Sequence, residues 1–267
     1  GMREFGRTIT TATGANVQWP VSDDSGNKAR LYTEATAPST TTQVTFAQKT
    51  LEAHKYGSGP IKISSELLQD SAISIESYVR EAMVHRFGRI LNEHFTTRSS
   101  TEATGPHGVI NDSTGAVTIA AGAANLTSDK LIDLEHSVDP YYRSNGVWMF
   151  SDATKAIIRK LRVGSSREYV WQPGLQAGEP DRLLGYPVVI NQDLEAVTTA
   201  AKKPIFFGNF NHYIVRDVLP TTIRRLDERY ADEDVIALIG FHRADGRSVF
   251  GSTVPARKPY RCILTTT

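Results

Sequence analysis

The chain has 267 residues, 40% hydrophobic and 22% charged, values that suit one large globular domain or two smaller ones. Its 30 Lys plus Arg against 29 Asp plus Glu leave a formal net charge of +1, which excludes binding of nucleic acid or an anionic membrane by bulk charge. The single cysteine, Cys262, rules out an internal disulfide, and no run reaches the ~18 apolar residues of a membrane span or reads as a secretory signal. A soluble, intracellular protein is expected, with Cys262 as a small core residue. Gly1 ahead of Met2 reads as a remnant of tag removal, so the natural N-terminus is expected upstream.

The first elements are extended. "RTITTATGANVQWPVSDD", residues 7–24, is rich in β-branched residues and carries Val17 and Trp19 after a turn-compatible Gly14-Ala15-Asn16. "QVTFAQKTLEAHKYG", residues 43–57, alternates approximately, with Val44, Phe46 and then Leu51. Two such limbs joined through a polar tip predict a long hairpin. The threonine-rich span between them, "KARLYTEATAPSTTTQVTFAQKT" at 28–50, has neither a helical repeat nor core-sized apolar residues, so it is a disordered linker or an arm that packs on another chain.

Ile61 and Ile63 predict a short strand that runs into a helix capped by Ser64, with Glu66 in its first turn. Residues 74–97 form the strongest single pattern: Ile75, Val79, Ala82, Met83, Phe87, Ile90, Leu91 and His94 recur at three and four behind the N-cap Ser74. At 1.5 Å per residue such a helix runs ~36 Å. "GPHGVIND", 105–112, reads as a Gly-Pro turn followed by a short apolar strand.

Two helices are expected to open on Ser-Asp caps at Ser128 and Ser151, with a buried strand at 147–150 between them. "LLGYPVVI" and "KPIFFGNFNHYIVRD" read as strand pairs punctuated by Gly and Pro. Three further strand-like runs, at 221–230, 234–243 and 258–264, are separated by turn signals such as Asp245-Gly246. The fold class is α+β: two mixed regions and an extended hairpin, without an internal repeat.

Enzyme signatures are absent: there is no phosphate-binding Gly-x-x-x-x-Gly-Lys, no His-Glu-x-x-His and no Gly-x-Ser-x-Gly. Gly57 to Pro60 reads as a turn. His85 and His94 share the long helix but stand too far apart for one metal, and Asp133, Glu135 and Asp139 form a solvated helix end. Arg243, Arg247, Arg257, Lys258 and Arg261 could touch nucleic acid, but Asp232, Glu233, Asp234 and Asp245 are mixed among them and no aromatic residues interleave to stack bases. No enzyme activity, cofactor or metal is expected.

Several segments in order resemble one family, the major capsid proteins of tailed bacteriophages with the Hong Kong 97-type fold. "IKISSELLQDS" before a long amphipathic helix resembles the approach to that family's spine helix, and "GPHGVI" the turn after it. "DRLLGYPVVINQDL" resembles its Leu-Leu-Gly-x-Pro-Val strand, "IFFGNFNHYIVRD" its Phe-Gly-Asp-Phe and Tyr-x-Ile-x-Asp pattern with Asn209 for the Asp, and "DERYADEDVIALIGFHRADG" its closing strands. The resemblance implies a long spine helix, peripheral and axial domains, and an E-loop hairpin that lies across a neighbouring subunit. It divides the chain into an N-terminal segment and E-loop at 1–60, a peripheral domain at 61–124, an axial domain at 125–210 and return strands at 211–267.

It further implies a structural head protein of a tailed phage or prophage that assembles with itself, as pentamers and hexamers, into an icosahedral shell around double-stranded DNA without reading its sequence. An encapsulin-type bacterial nanocompartment is the alternative. Scaffold or protease and portal proteins are the implied partners, with no membrane, and the implied location is the virion capsid after assembly in the bacterial host cytoplasm. Lys28, Arg30, Tyr32, Glu34, Val44, Phe46 and Lys49 are the implied hairpin residues of the subunit interface. Some members join a hairpin lysine to an asparagine of a neighbour. Residues 231–267 here contain no Asn or Gln, so a shell without such cross-links is expected.

Overall fold

Among the described residues, two six-stranded sheets, a separate two-stranded hairpin and a long helix dominate the fold. The computed structural model describes residues 1–22, 27–29, 31, 33–34, 44, 46–71, 74–98, 105–162, 171, 181–250 and 258–267. After a single-turn helix α1 (Met2–Phe5) come β1 (Arg7–Thr11), β2 (Val17–Ser22), β3 (Phe46–Leu51), β4 (His54–Gly57) and β5 (Ile61–Ser64). The helices α2 (Ser65–Asp70) and α3 (Ile75–Thr97) follow, then α4 (Val109–Asp112), β6 (Gly115–Ala120), α5 (Ser128–Ser137) and α6 (Pro140–Arg143). The chain continues through β7 (Val147–Phe150), α7 (Asp152–Arg159), β8 (Arg182–Leu183), β9 (Tyr186–Ile190) and β10 (Ile205–Gly208). It closes with β11 (Tyr213–Val218), β12 (Thr222–Leu226), β13 (Val235–Ser248) and β14 (Tyr260–Thr266).

The first sheet is built on β13. Phe241 pairs with Thr222 of β12 and with Gly57 of β4, and Ala244 with Asp217 of β11 and His54 of β4, so β11 and β12 share one edge while β4 and β5 take the other. β1 adds in parallel beyond β11. The predicted turn at Asp245-Gly246 is therefore a strand interior. Its glycine serves close packing instead: a Cβ on Gly246 would stand 2.4 Å from the Tyr213 hydroxyl and 2.6 Å from the Phe95 ring.

The second sheet runs β6-β14-β10-β7-β9-β8, with parallel pairs at β6/β14 and β7/β9. Its central strands are apolar on both faces, and alternate residues enter different cores. Trp148, Phe150, Ile205, Phe207 and Ile263 meet Leu131 and Leu134 of α5, Val138 just after it and Ile158 of α7 on one side. Met149, Phe206 and Cys262 meet α3 on the other.

α3 joins the two sheets. Val79, Met83, Phe87, Leu91 and Phe95 recur every fourth residue and are buried, each stabilising by roughly 1.5–3 kcal/mol. Val79 and Met83 pack with Ile63 and Leu238 of the first sheet, whereas Phe87, Leu91 and Phe95 pack with residues of both sheets. The Ser74 hydroxyl caps the helix by accepting from the Ser77 amide, as Ser64 caps α2 through Leu67. The predicted stripe drifts at its end: Phe95 is buried, and Ile90 and His94 are half-buried.

Further expectations are corrected. Residues 109–112 form the helical turn α4 rather than a strand, because Gly108 N and the Asn111 side chain both bond the Arg98 carbonyl and fold the segment onto the end of α3. Thr127, one residue before the expected Ser128, caps α5 through the Lys130 amide, and the Ser151 hydroxyl bonds Thr154 Oγ1 at 3.1 Å in place of a backbone cap. β6 was not anticipated; it is held in parallel by β14, a partner more than a hundred residues away. Finally, β10 and β11 do not pair: they enter different sheets, and Gly208 to His212 carry the chain between them. β8 and β9 do form a hairpin.

Candidate assembly interface

β2 and β3 pair antiparallel from Val17 opposite Leu51 to Ser22 opposite Phe46, and form a sheet of their own. The two predicted limbs thus make the predicted hairpin. Along β3 burial falls away from the root: Leu51 is 1% exposed and Thr50 and Lys49 are half-buried, whereas Phe46 is 72% exposed; on β2, Val21 is buried. Val44 and Leu31 are also exposed, as are Lys28 and Glu34. Arg30 and Tyr32, the other predicted hairpin residues, lie outside the described residues. Lys49 differs from the rest, because it sits beside the root, opposite Trp19 and within electrostatic reach of Asp112 and His107.

The root is held by a residue that sequence reasoning did not single out. Arg216 of β11 is fully buried, and its guanidinium donates five hydrogen bonds. Nε bonds Thr11 Oγ1 at 3.1 Å, one terminal nitrogen bonds the Leu51 and Glu52 carbonyls at 2.9 and 3.0 Å, and the other bonds those of Thr13 and Ala15 at 2.9 and 2.7 Å. These acceptors belong to the chain entering β2 and the chain leaving β3. The only sequence signal was a charge inside the apolar run "YIVRDV", whose six residues are all buried.

β13 adds two more ties. Asp245 accepts from the Glu52 amide at 2.6 Å, and Arg247 donates to the Thr50 carbonyl at 2.9 Å. Burial pushes the Asp245 carboxyl above its ordinary range, against the two backbone amides that bond it and the His54 imidazole 3.7 Å away. Arg243 lies against Gly14, where a Cβ would collide with its guanidinium. Among the predicted basic residues these two therefore serve the hairpin root, Lys258 bonds Thr114 Oγ1, and Arg257 lies outside the described residues.

The other candidates have structural roles. His94 Nδ1 meets the Tyr56 hydroxyl at 3.0 Å, and His85 lies 3.8 Å from Glu81 on the exposed side of α3. Asp139 caps α6 and Asp133 faces Lys130 at 3.6 Å. Cys262 is buried, and burial pushes its thiol up. A cleft of about 720 Å³ beside α1 and α3 is crossed by bonds among its own residues, from Met2 N to Asn92 Oδ1 at 2.8 Å and from Asn92 to Asn191 at 2.9 Å. Among the described residues no group of three or more His, Cys, Asp or Glu could hold a metal ion, and no helix is long and apolar enough to cross a membrane.

Residues 1–250 match the family described as the phage capsid family. The chain belongs to the phage capsid family. Solved capsids share its fold. It superposes on the capsid of a native GTA particle with a TM-score of 0.81 at 21% identity, over 100% of this chain and 90% of that one. The corresponding values are 0.73 and 16% for a structure from Mycobacterium phage Adephagia, again over 100% and 90%. For Microbacterium phage Oxtober96 they are 0.71 and 18%, over 99% and 90%. No curated protein matches. As a phage capsid family member the chain is a structural major capsid protein of a phage or a GTA, with the Hong Kong 97-like fold, and the encapsulin alternative is not favoured. Its place is a virion capsid, and self-assembly into a shell follows from that role.

Two half-buried histidines set the direction in which stability changes with pH. Burial holds the His107 and His212 imidazoles below their ordinary value of 6.5, with Arg247 adding to the effect at His107. The unfolded chain then takes up these protons first, so their contribution is whole above 6.5 and is lost as pH falls below it. His212 packs edge-on against Phe250 and Tyr142 at 4.9 and 5.2 Å. The melting temperature of His212→Phe should therefore fall less between pH 7.5 and 5.5 than that of the unmodified protein; equal falls would show that His212 contributes nothing.

Proposed function

We propose that this subunit assembles with copies of itself through the β2–β3 hairpin, which lies across a neighbouring subunit, and that the shell encloses double-stranded DNA. The observation that carries this reading is a two-stranded ribbon whose β3 begins on an uncovered aromatic: Phe46 is 72% exposed, and Val44 and Leu31, near it in the chain, are exposed at 41% and 101%. A two-stranded ribbon is at best marginal in water, and exposed apolar side chains on it gain only when another surface covers them. Lys28, Arg30, Tyr32 and Glu34 would contribute polar contacts around these anchors, and Lys49 would act from the root. The near-neutral net charge suits a lumen that holds DNA without gripping it.

The division into domains fits the two sheets in part. The second sheet with α5 and α7 supports an axial domain over most of 125–210, and α3 with the first sheet supports a peripheral domain. Shell building in the host cytoplasm, with scaffold or protease and portal proteins, belongs to the same reading. So does a purely structural role without enzyme activity.

Phe46→Asp tests it. The side chain is exposed, so the folding free energy should change by no more than about 0.5 kcal/mol, while shells seen by electron microscopy of the full chain should disappear. Shells at the unmodified yield would remove the hairpin from the interface. The same unmodified particles, boiled in detergent, should run as one monomer band, because no amide between 231 and 267 is present to be joined to a lysine.

A further inference from the structure

We infer that Arg216 is the positioning residue of the hairpin: its guanidinium sets the angle at which β2 and β3 leave the body, and so makes the subunit competent to assemble. This rests on the hairpin's role as the assembly arm and names the part that aims it.

A guanidinium has five N–H donors in one plane, and here each has an acceptor, drawn from Thr11, Thr13 and Ala15 on the outgoing limb and Leu51 and Glu52 on the returning limb. Both limbs are therefore tied to one rigid planar group. That group is itself held, because Arg216 lies in β11 between Ile9 of β1 and Asp245 of β13. A limb can swing only by breaking charge-assisted bonds to a buried cation.

The arrangement has no equal use in the body of the protein. Four of the five acceptors are backbone carbonyls of the two chain segments at the hairpin root and the fifth is the Thr11 hydroxyl at the end of β1, and an apolar side chain would fill the same buried site without a charge to satisfy. Asp245 and Arg247 hold the returning limb from β13 but do not reach the outgoing one. Arg216 donates to both. A lysine would keep the charge, but its three donors spring from a single atom and cannot span the two limbs.

The test uses the full chain with Gln48→Cys and Gln69→Cys, two exposed positions on the hairpin and on α2, carrying spin labels, while the buried Cys262 stays unlabelled. In free subunits the distance distribution should be narrow with Arg216 and at least twice as broad with Arg216→Lys, at unchanged near-ultraviolet circular dichroism. Shell yield of the unlabelled Arg216→Lys protein should fall at least ten-fold. An unchanged distribution overturns the inference. So does an unmodified shell yield in a variant with a broadened distribution, provided Phe46→Asp blocks assembly; if Phe46→Asp also assembles, it is the hairpin's role that fails, and the distances alone judge Arg216. Should Arg216→Lys not fold, Thr11→Val takes from Arg216 the Nε acceptor alone, together with the hydroxyl's own longer bonds to the Thr13 and Asp217 carbonyls at 3.2 and 3.4 Å: a broadened distribution and reduced yield support the inference, and values equal to the unmodified protein overturn it.

Discussion

Met83→Asp should leave the subunit unfolded and insoluble. Met83 is fully buried on α3 and packs with Ile63, Val79 and Leu238, where the first sheet closes over the helix. A carboxylate there would have only apolar neighbours in that cluster, and an unpaired charge in such a site costs several kcal/mol even after it is neutralised by taking up a proton. Against a total stability of about 5–15 kcal/mol, that loss is decisive. Ile90→Asp should be milder, because Ile90 is only half-buried and packs at the margin of the neighbouring cluster, so its carboxylate can turn toward water. Soluble yield and thermal melts measure both. A soluble Met83→Asp subunit with an unchanged melting temperature would mean that this end of α3 does not carry the fold.

Gly208→Ala is the second change with a large expected effect. At Gly208 the chain leaves the second sheet, and within five residues it begins β11 in the first. Its φ is +142°, a conformation that side chains oppose, and an added Cβ would stand 2.2 Å from the Pro259 carbonyl oxygen and 2.5 Å from the Tyr260 Cα. Both are backbone atoms, and the next residue's amide bonds that same carbonyl at 2.8 Å, so neither side can yield without opening the β10–β14 pair. Strain of roughly 1–3 kcal/mol and the clash together should cost at least about 3 kcal/mol. For a chain of this size that is a drop of roughly 6–12 °C in melting temperature. Gly185→Ala is the control: φ is +84°, but no atom lies within 4 Å of the added Cβ, so only the conformational cost of about 1 kcal/mol applies. Equal shifts for the two variants would show that backbone crowding at Gly208 is not what matters.

The sequence alone was enough for the features whose causes are local. The fourfold spacing from Val79 to Leu91 behind a capping Ser74 made α3 legible, because a helix closes its hydrogen bonds within itself. The hairpin was legible from two β-prone limbs with little core of their own, and β7 from a run too apolar to face water. The ordered run of family-like segments added what spacing could not, the function.

Tertiary structure decided everything that depends on a distant partner. Asp245-Gly246 carries a turn signal, yet β11 pairs along it, Arg216 opposite Asp245 and Val215 opposite Gly246, and Tyr213 and Phe95 leave room there only for a glycine. The run from 205 to 217 looks like one hairpin, but its two halves are claimed by different sheets, β14 taking one and β13 the other. The buried charge of Arg216 is the clearest case. In sequence it is a cation beside Asp217 in a mostly apolar strand, and its partners are backbone carbonyls more than 160 residues away. Carbonyls are the same at every position of a chain, so no residue pattern can announce which of them a guanidinium will gather; only the folded path brings Thr13, Ala15, Leu51 and Glu52 to one plane of donors.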